Sequence, residues 1–71
     1  MSNLKTRRQA CGLSQVDLAN RSRVPVRQIR AYEAEAATAH ADINRAAAVV
    51  VFRLARALGC RVEDLLEPDE Y

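Results

Sequence analysis

Residues 14–33 read SQVDLANRSRVPVRQIRAYE, and this stretch decides the fold. Ser14 and Asp17 have the spacing of a capping box, in which the serine hydroxyl accepts a hydrogen bond from a free backbone N–H at the start of a helix. An acidic residue is also favourable in the first helical turn. We therefore predict a helix that begins at Gln15 and ends near residues 21–22.

A second helix follows the Arg-Val-Pro hinge of this stretch. A residue before proline disfavours the helical region, whereas proline itself is tolerated at the first helical position, so this helix should begin at Pro25 or Val26. Residues 34–41 read AEAATAHA and contain no glycine or proline. Because alanine favours helix, we expect either an overlong helix here or a poorly specified loop.

The rest of the chain predicts three further helical segments. A first helix should run from Leu4 to Ala10 and end at Gly12, because glycine readily adopts the left-handed conformation that closes a helix. Predicted capping residues Asp42-Ile43-Asn44 precede a helix from Arg45 to Leu58, which is ended by Gly59. The apolar stripe of this helix comprises Val50, Val51, Leu54 and Leu58.

The last predicted segment is one short helical turn from Val62 to Leu66, with Val62, Leu65 and Leu66 on the core. Pro68 ends it, and residues 67–71 form an acidic tail. The expected fold class is all-α, a compact bundle of about five short helices in a single domain spanning residues 1–71.

Charge is distributed unevenly along the chain, although its formal net value is only +2. Residues 1–30 contain seven basic residues and one acidic residue, whereas residues 31–71 contain four basic and eight acidic residues. The basic half coincides with the hinge, which indicates a polyanionic partner.

The sequence also indicates the cellular compartment of the protein and the redox state of its two cysteines. It has no run of apolar residues long enough to cross a bilayer and no recognisable secretory leader, so we expect a soluble cytoplasmic protein with no membrane partner. Cys11 and Cys60 lack metal or redox spacing, and we expect both as reduced, buried, apolar fillers.

The second helix of the opening stretch has one face for a core and one for a partner. With Ile29 at the centre of the buried face and a step of about 100° per residue, Arg27 and Ala31 point away from the core and Gln28 and Arg30 lie on the flanks. Two short helices joined by a tight turn, with a polar outward face on the second, suit the major groove of double-stranded DNA.

Each outward residue type matches a DNA contact. Arginine can bond guanine bidentately, glutamine can bond adenine, and alanine can pack on a thymine methyl group. Arg27 is the first candidate for a base contact. The candidates for phosphate contacts are Gln15 at the start of its helix, together with Arg7, Arg21, Arg23 and Arg30.

Leu4 to Leu66 resembles the Cro and phage-repressor class of helix-turn-helix domain, often called the Xre family. The resemblance rests on the joint order and spacing of Leu4, Lys5 and Arg8, then Gly12-Leu13-Ser14-Gln15, Leu18-Ala19, Val24, Ile29 and Tyr32-Glu33, and later Asp42-Ile43-Asn44, Leu54 to Cys60 and Val62 to Leu66. It implies a five-helix, lambda-repressor-like domain whose third helix reads DNA, commonly as a dimer.

The resemblance also implies roles for individual residues. Its base-reading positions fall on Val26, Arg27 and Ala31, with Gln28 nearby, and its helix-two glutamine falls on Gln15. A helix-one arginine often pairs with a glutamate that ends helix three, which here is Arg8 with Glu33. Because Glu33 lies near the predicted buried face, it needs such a partner.

Three positions depart from the family pattern. Arg23 occupies the turn position that is usually glycine, so it must either adopt a left-handed backbone, at a cost of about 1 kcal/mol or more, or change the turn. Pro25 replaces the usual Ser or Thr at the start of helix three, which removes a side-chain cap. Glu35 replaces the glycine that usually ends that helix, and about three residues are added before Asp42.

Nothing in the sequence favours an enzyme or a bound cofactor. His40 is the only histidine, and no Cys, Asp or Glu surrounds it at metal spacing, so we expect a surface histidine and no metal. The acidic residues 63–70 have no accompanying base, nucleophile or glycine-rich phosphate loop, and a solvated acidic face explains them.

Val49 and Phe52 emerge on the side of helix four that faces away from its core stripe. Two explanations remain open: residues Ala36 to Ala41 fold over Phe52, or this patch contacts a second copy or another partner. We expect a sequence-specific DNA-binding transcriptional regulator with its recognition helix at residues 25–35. The alternative is a protein-interaction module, such as the antitoxin of a toxin-antitoxin pair, that uses Val49 and Phe52.

Overall fold

The computed structural model describes residues 3–34, 43 and 46–66. All regular structure within these residues is helical, which confirms the predicted all-α class and is close to the predicted number of helices. In chain order the elements are α1 (Asn3–Ala10), α2 (Gln15–Ser22), α3 (Val26–Glu33), α4 (Ala48–Leu58) and a short 3-10 helix (Val62–Asp64).

Two helices end at the glycines that the sequence marked as terminators. Gly12 follows α1 with φ 70°, and Gly59 follows α4 with φ 67°. An L side chain at such an angle brings Cβ close to the following carbonyl oxygen, which glycine avoids. At Gly59 the backbone N–H also bonds the carbonyl oxygens of Ala55 and Arg56, so the last turn of α4 is closed.

One core joins all the helices. Its largest fully buried side chains come from each of the four α-helices and from the residue after the 3-10 helix; they are Leu4, Leu18, Ile29, Leu54 and Leu65. Helix α2 lies between α3 and α4 and packs against both, while α1 packs against α3. The predicted stripe of α4 faces this core, with Val51, Leu54 and Leu58 buried and Val50 half-buried.

Helix α3 ends earlier than the predicted recognition helix of residues 25–35. Ala34 is already extended, with ψ 138°, and the helix closes at Glu33. Of the two outcomes expected after Glu33, an overlong third helix or a poorly specified loop, the first is therefore wrong. Glu35, the segment Ala36 to Ala41 and His40 lie outside the described residues.

Helix α4 begins three residues later than predicted. Its N-cap is Ala47, with ψ 138° and no side-chain cap, so the expected start at Arg45 is wrong. The side chain of Ile43 is buried in the core, 3% exposed. Arg45 and the proposed capping residues Asp42 and Asn44 lie outside the described residues, as does the acidic tail 67–71.

Two further expectations about burial are wrong. Leu66 was expected on the core, but it is exposed, whereas Leu65 before it is fully buried. Cys11 was expected as a buried filler, yet it is exposed; its Sγ lies 3.6 Å from the carbonyl oxygen of Leu58. Cys60 is half-buried, and burial raises the pKa of its thiol.

Within the described residues, no helix combines the length and apolar character needed to cross a membrane.

Candidate nucleic-acid interface

Local hydrogen bonds fix both ends of α2, beginning with its N-terminus. The Ser14 hydroxyl accepts from the backbone N–H of Asp17 at 3.0 Å, and the Asp17 carboxylate accepts from the N–H of Ser14 at 3.1 Å. These two bonds form the predicted capping box and fix where α2 begins. The bond from the Ser14 backbone N–H to the carboxylate, followed by the hydrogen-bonding Ser14 hydroxyl, lowers the pKa of the Asp17 carboxyl.

At the other end of α2, Ser22 and Arg23 form the turn. The buried Ser22 hydroxyl donates to the carbonyl oxygen of Leu18 at 2.7 Å and accepts from the N–H of Val24 at 3.3 Å. Arg23 has φ 60° and ψ 32°, and its N–H bonds the Ala19 carbonyl at 2.9 Å. Of the two outcomes open for Arg23, the chain therefore adopts the left-handed backbone, at a cost of about 1–2 kcal/mol.

The far end of α3 is fixed to α1 by the ion pair of Arg8 and Glu33. Nε and Nη2 of Arg8 each donate to one carboxylate oxygen of Glu33 at 2.8 Å, and Nη1 donates to the Leu13 carbonyl at 2.7 Å. Both residues are buried. The bonds to Glu33 outweigh the effect of burial and raise the pKa of Arg8. This two-pronged pair holds α3 in position across 25 residues of sequence.

Gln15 continues this polar network towards the surface. Its Nε2 donates to Glu33 at 3.3 Å, and its Oε1 accepts from Nε of Arg30 at 3.2 Å. Among the described residues, every buried side-chain N or O atom has a hydrogen-bond partner. The sequence did not predict the bond between Gln15 and Arg30, because these residues belong to different helices and only the packing of α2 on α3 brings them together.

The outward face of α3 carries the predicted base-contacting residues. Arg27 is exposed, whereas Val26, Gln28 and Ala31 are half-buried. Arg27 has no hydrogen-bond or ion-pair partner among the described residues. Pro25 provides no side-chain cap at the start of α3, and its carbonyl oxygen accepts from the N–H of Gln28 at 3.0 Å.

The order of these helices along the chain matches a known family of domains. A model of a helix-turn-helix family matches residues 4–65, which covers all four helices and the 3-10 helix apart from the first residue of α1. The chain belongs to the Cro/C1-type helix-turn-helix family. Searches of curated proteins and of solved structures found no significant match.

Membership in the Cro/C1-type family makes this chain a DNA-binding helix-turn-helix domain. Two of the three departures from the family pattern lie within the described residues. Arg23 supports the turn with a left-handed backbone, and α3 begins after Pro25 without a side-chain cap. The third departure, Glu35, lies outside the described residues.

The arginines predicted to contact phosphate do not lie together in this Cro/C1-type domain. Arg30 is on α3 beside Gln15, and Arg7 on α1 has Nη2 at 3.7 Å from Asp64. Arg21 and Arg23 instead line a cleft with two arginines of α4, Arg53 and Arg56. Arg53 and Arg56 were not among the predicted phosphate contacts, although their i, i+3 spacing places them on one side of a helix.

A second groove on α4 has an apolar lining and adjoins these arginines, because Phe52 and Arg56 are four residues apart and lie on the same side of the helix. Val49 and Phe52 are each 54% exposed, and Leu66 is 36% exposed. They line a groove of about 580 Å³ with five other apolar residues, namely Ile43, Ala46, Ala48, Val51 and Val62.

Among the described residues, no group of three or more His, Cys, Asp or Glu side chains is placed to hold a metal ion.

Proposed function

We propose that this domain is a sequence-specific transcriptional regulator that inserts α3 into the major groove of DNA. The observation that carries the proposal is the outward face of α3: Arg27 projects from it, exposed and without a partner among the described residues, in a domain of a DNA-binding family. Such a regulator acts where the chromosome is, and we propose the cytoplasm as its location.

Base selection is assigned to four residues of α3, namely Val26, Arg27, Gln28 and Ala31. Arg27 has the exposure and the guanidinium fork for a bidentate bond to guanine. Gln28 can bond adenine, and the small Ala31 can meet a thymine methyl group. Their partial burial limits how far Gln28 and Ala31 can reach, so Arg27 is expected to dominate base choice.

Phosphate contacts are assigned to residues around that face. Arg30 and Gln15 are bonded to each other and can bind the same DNA strand, because the amide of Gln15 holds the guanidinium of Arg30 at 3.2 Å. Arg7 is half-exposed and its link to Asp64 is long, so it can turn towards a phosphate. Arg21 and Arg23 remain candidates on the far side of α2.

The experiment that tests this proposal is DNA binding across a salt series. A duplex selected from a random pool should bind with a log K that falls linearly with log salt, with a slope of about −0.9 for each phosphate neutralised. Fluorescence anisotropy at several salt concentrations measures this slope. Affinity that does not change with salt would refute phosphate contacts by this domain.

We further propose that the apolar groove receives a second copy of the chain. An eight-residue α3 reads only a few base pairs, and helix-turn-helix domains extend their sites by pairing two-fold-related copies. Phe52 and Val49 supply apolar surface of the kind that becomes buried in such contacts.

The same groove favours a second candidate function, a protein-interaction module such as an antitoxin. In that case Val49 and Phe52 would bind a different protein, and DNA binding would serve autoregulation or be absent. A domain that stays monomeric while binding no selected DNA would favour this alternative over the regulator.

A further inference from the structure

Four arginines converge on one cleft between α2 and α4. Arg21 and Arg23 come from the end of α2 and the turn, while Arg53 and Arg56 come from α4. The cleft measures about 570 Å³, and its other described lining residues are Ser22 and Ala57. All four arginines are exposed. The volume is within the range of small-molecule sites, about 300–1,000 Å³.

This cleft is separate from the face of α3 assigned to base contacts. No residue of α3 is among its described lining residues. Gln15, which bonds α3, and Arg21 are six residues apart on α2, so they point about 120° away from each other at 100° per residue. Helix α2 therefore stands between the recognition helix and the four arginines.

The charges in the cleft are only partly compensated within the described residues, since Asp17 interacts electrostatically with Arg21 alone among the four arginines. The side chains of the four arginines make no hydrogen bond or ion pair with the described residues, and the described lining contains no carboxylate. The Ser22 hydroxyl is already engaged with Leu18 and Val24. Four like charges around one cleft repel each other, and this repulsion is relieved when an anion of several charges enters.

We propose that Arg21, Arg23, Arg53 and Arg56 form a binding site for phosphate groups, distinct from the base-reading face. Guanidinium groups present paired N–H donors that match phosphate oxygens, and several forks around one cleft suit adjacent phosphates. Two kinds of ligand have such phosphate groups: a small molecule with a chain of phosphates, or the backbone of a DNA duplex that extends past α2. The site uses two arginines of α4 that base reading does not require.

The experiment has two arms that distinguish these sources. In the first, calorimetry measures binding of sodium tripolyphosphate at constant ionic strength to the full chain and to Arg53→Gln and Arg56→Gln. Each variant should bind about tenfold more weakly, since a charged hydrogen-bonding pair is removed. In the second arm, the slope of log K against log salt for a duplex should become shallower by about 1 in each variant if the DNA backbone is the source.

Arg61→Gln is the matched control, because Arg61 is an exposed arginine of the same charge outside the cleft. It should leave tripolyphosphate binding within about twofold of the unmodified chain, because unspecific surface charge contributes little. Arg53→Lys keeps the charge without the fork and should weaken binding less than Arg53→Gln. Circular dichroism confirms that each variant is folded before binding is measured.

The proposal is overturned if Arg53→Gln and Arg56→Gln match the Arg61→Gln control in both arms. Failure of the proposed regulator function gives a different result: no duplex is bound selectively, whereas tripolyphosphate binding and its dependence on Arg53 persist. A change confined to the first arm assigns the site to a small phosphate ligand, and a change in the duplex slope assigns it to the DNA backbone.

Discussion

Arg8 and Glu33 form a buried, two-pronged ion pair in which two guanidinium nitrogens each lie 2.8 Å from a carboxylate oxygen. The pair links α1 to the last residue of α3, so it fixes the end of the recognition helix relative to the rest of the domain. The position of α3 thus depends on a contact between residues far apart in sequence.

Breaking this pair from one side should destabilise the fold strongly. Glu33→Gln leaves the buried Arg8 charge uncompensated, and we expect the free energy of unfolding to fall by about 3 kcal/mol or more. Urea denaturation measures the change. The double variant Arg8→Met with Glu33→Leu should lose less than the sum of the two single variants.

The exposed pair Arg61 and Glu63 provides the control for that experiment. Their atoms are 3.9 Å apart and their side chains are 78% and 71% exposed, so Glu63→Gln should cost no more than about 1 kcal/mol. Equal losses from Glu33→Gln and Glu63→Gln would show that burial of the first pair does not matter for stability.

The left-handed backbone at Arg23 predicts an unusual effect of glycine. Arg23→Gly relieves about 1–2 kcal/mol of backbone strain but increases the entropy of the unfolded state, which costs about 0.5–1 kcal/mol, so we expect up to about 1.5 kcal/mol of added stability. Arg21→Gly removes the same side chain within α2 and should instead destabilise by about 1 kcal/mol. Thermal and urea unfolding compare the two. If both destabilise alike, strain at Arg23 is not significant.

The capping box predicts a dependence of stability on pH. Hydrogen bonds to Ser14 lower the pKa of Asp17 in the folded chain, so between that value and the ordinary value near 3.9 the unfolded state binds more protons. The contribution of Asp17 is therefore complete above the ordinary pKa and is lost as pH falls through the lowered one. Urea unfolding from neutral to acid pH measures the free energy of unfolding of the unmodified chain and of Asp17→Asn. The difference between the two should become smaller as the pH falls. A difference that is constant with pH would contradict this assignment.

Arg27 should determine base preference at one position of the DNA site. Arg27→Ala removes a bidentate contact worth about 1–3 kcal/mol of discrimination, so the selected base pair at that position should become degenerate. Selection from a random duplex pool followed by competition with single-substitution sites measures this. Arg61→Ala serves as the control and should leave the motif unchanged. An unchanged motif with Arg27→Ala would transfer base reading to other residues.

Phe52 should control self-association. If the groove holds a second copy, Phe52→Ser removes apolar area and should shift sedimentation equilibrium towards the monomer and weaken binding to a two-fold-symmetric site. Val16→Ser is a matched control, since Val16 is 51% exposed on α2 and does not line the groove. A monomeric unmodified chain that binds such a site fully would exclude the second copy.

The sequence by itself determined several features that depend on neighbouring residues. The capping box of Ser14 and Asp17 involves residues three apart, and Gly12, Pro25 and Gly59 act through their own backbone preferences. Local rules therefore located α1, α2 and the start of α3. Apolar periodicity located the buried side of α4 for the same reason.

Only the tertiary structure decided features that depend on packing between distant residues. Alanines after Glu33 carry no local stop signal, yet the helix ends there, and α4 begins at Ala48 although acidic and amide caps were available earlier. Long-range contacts also set the Gln15–Arg30 bond, the exposure of Leu66 and the meeting of Arg21 and Arg23 with the arginines of α4. Side chains on different helices become neighbours only when the core has packed, and the free energy of that packing exceeds the small local preferences that a sequence displays.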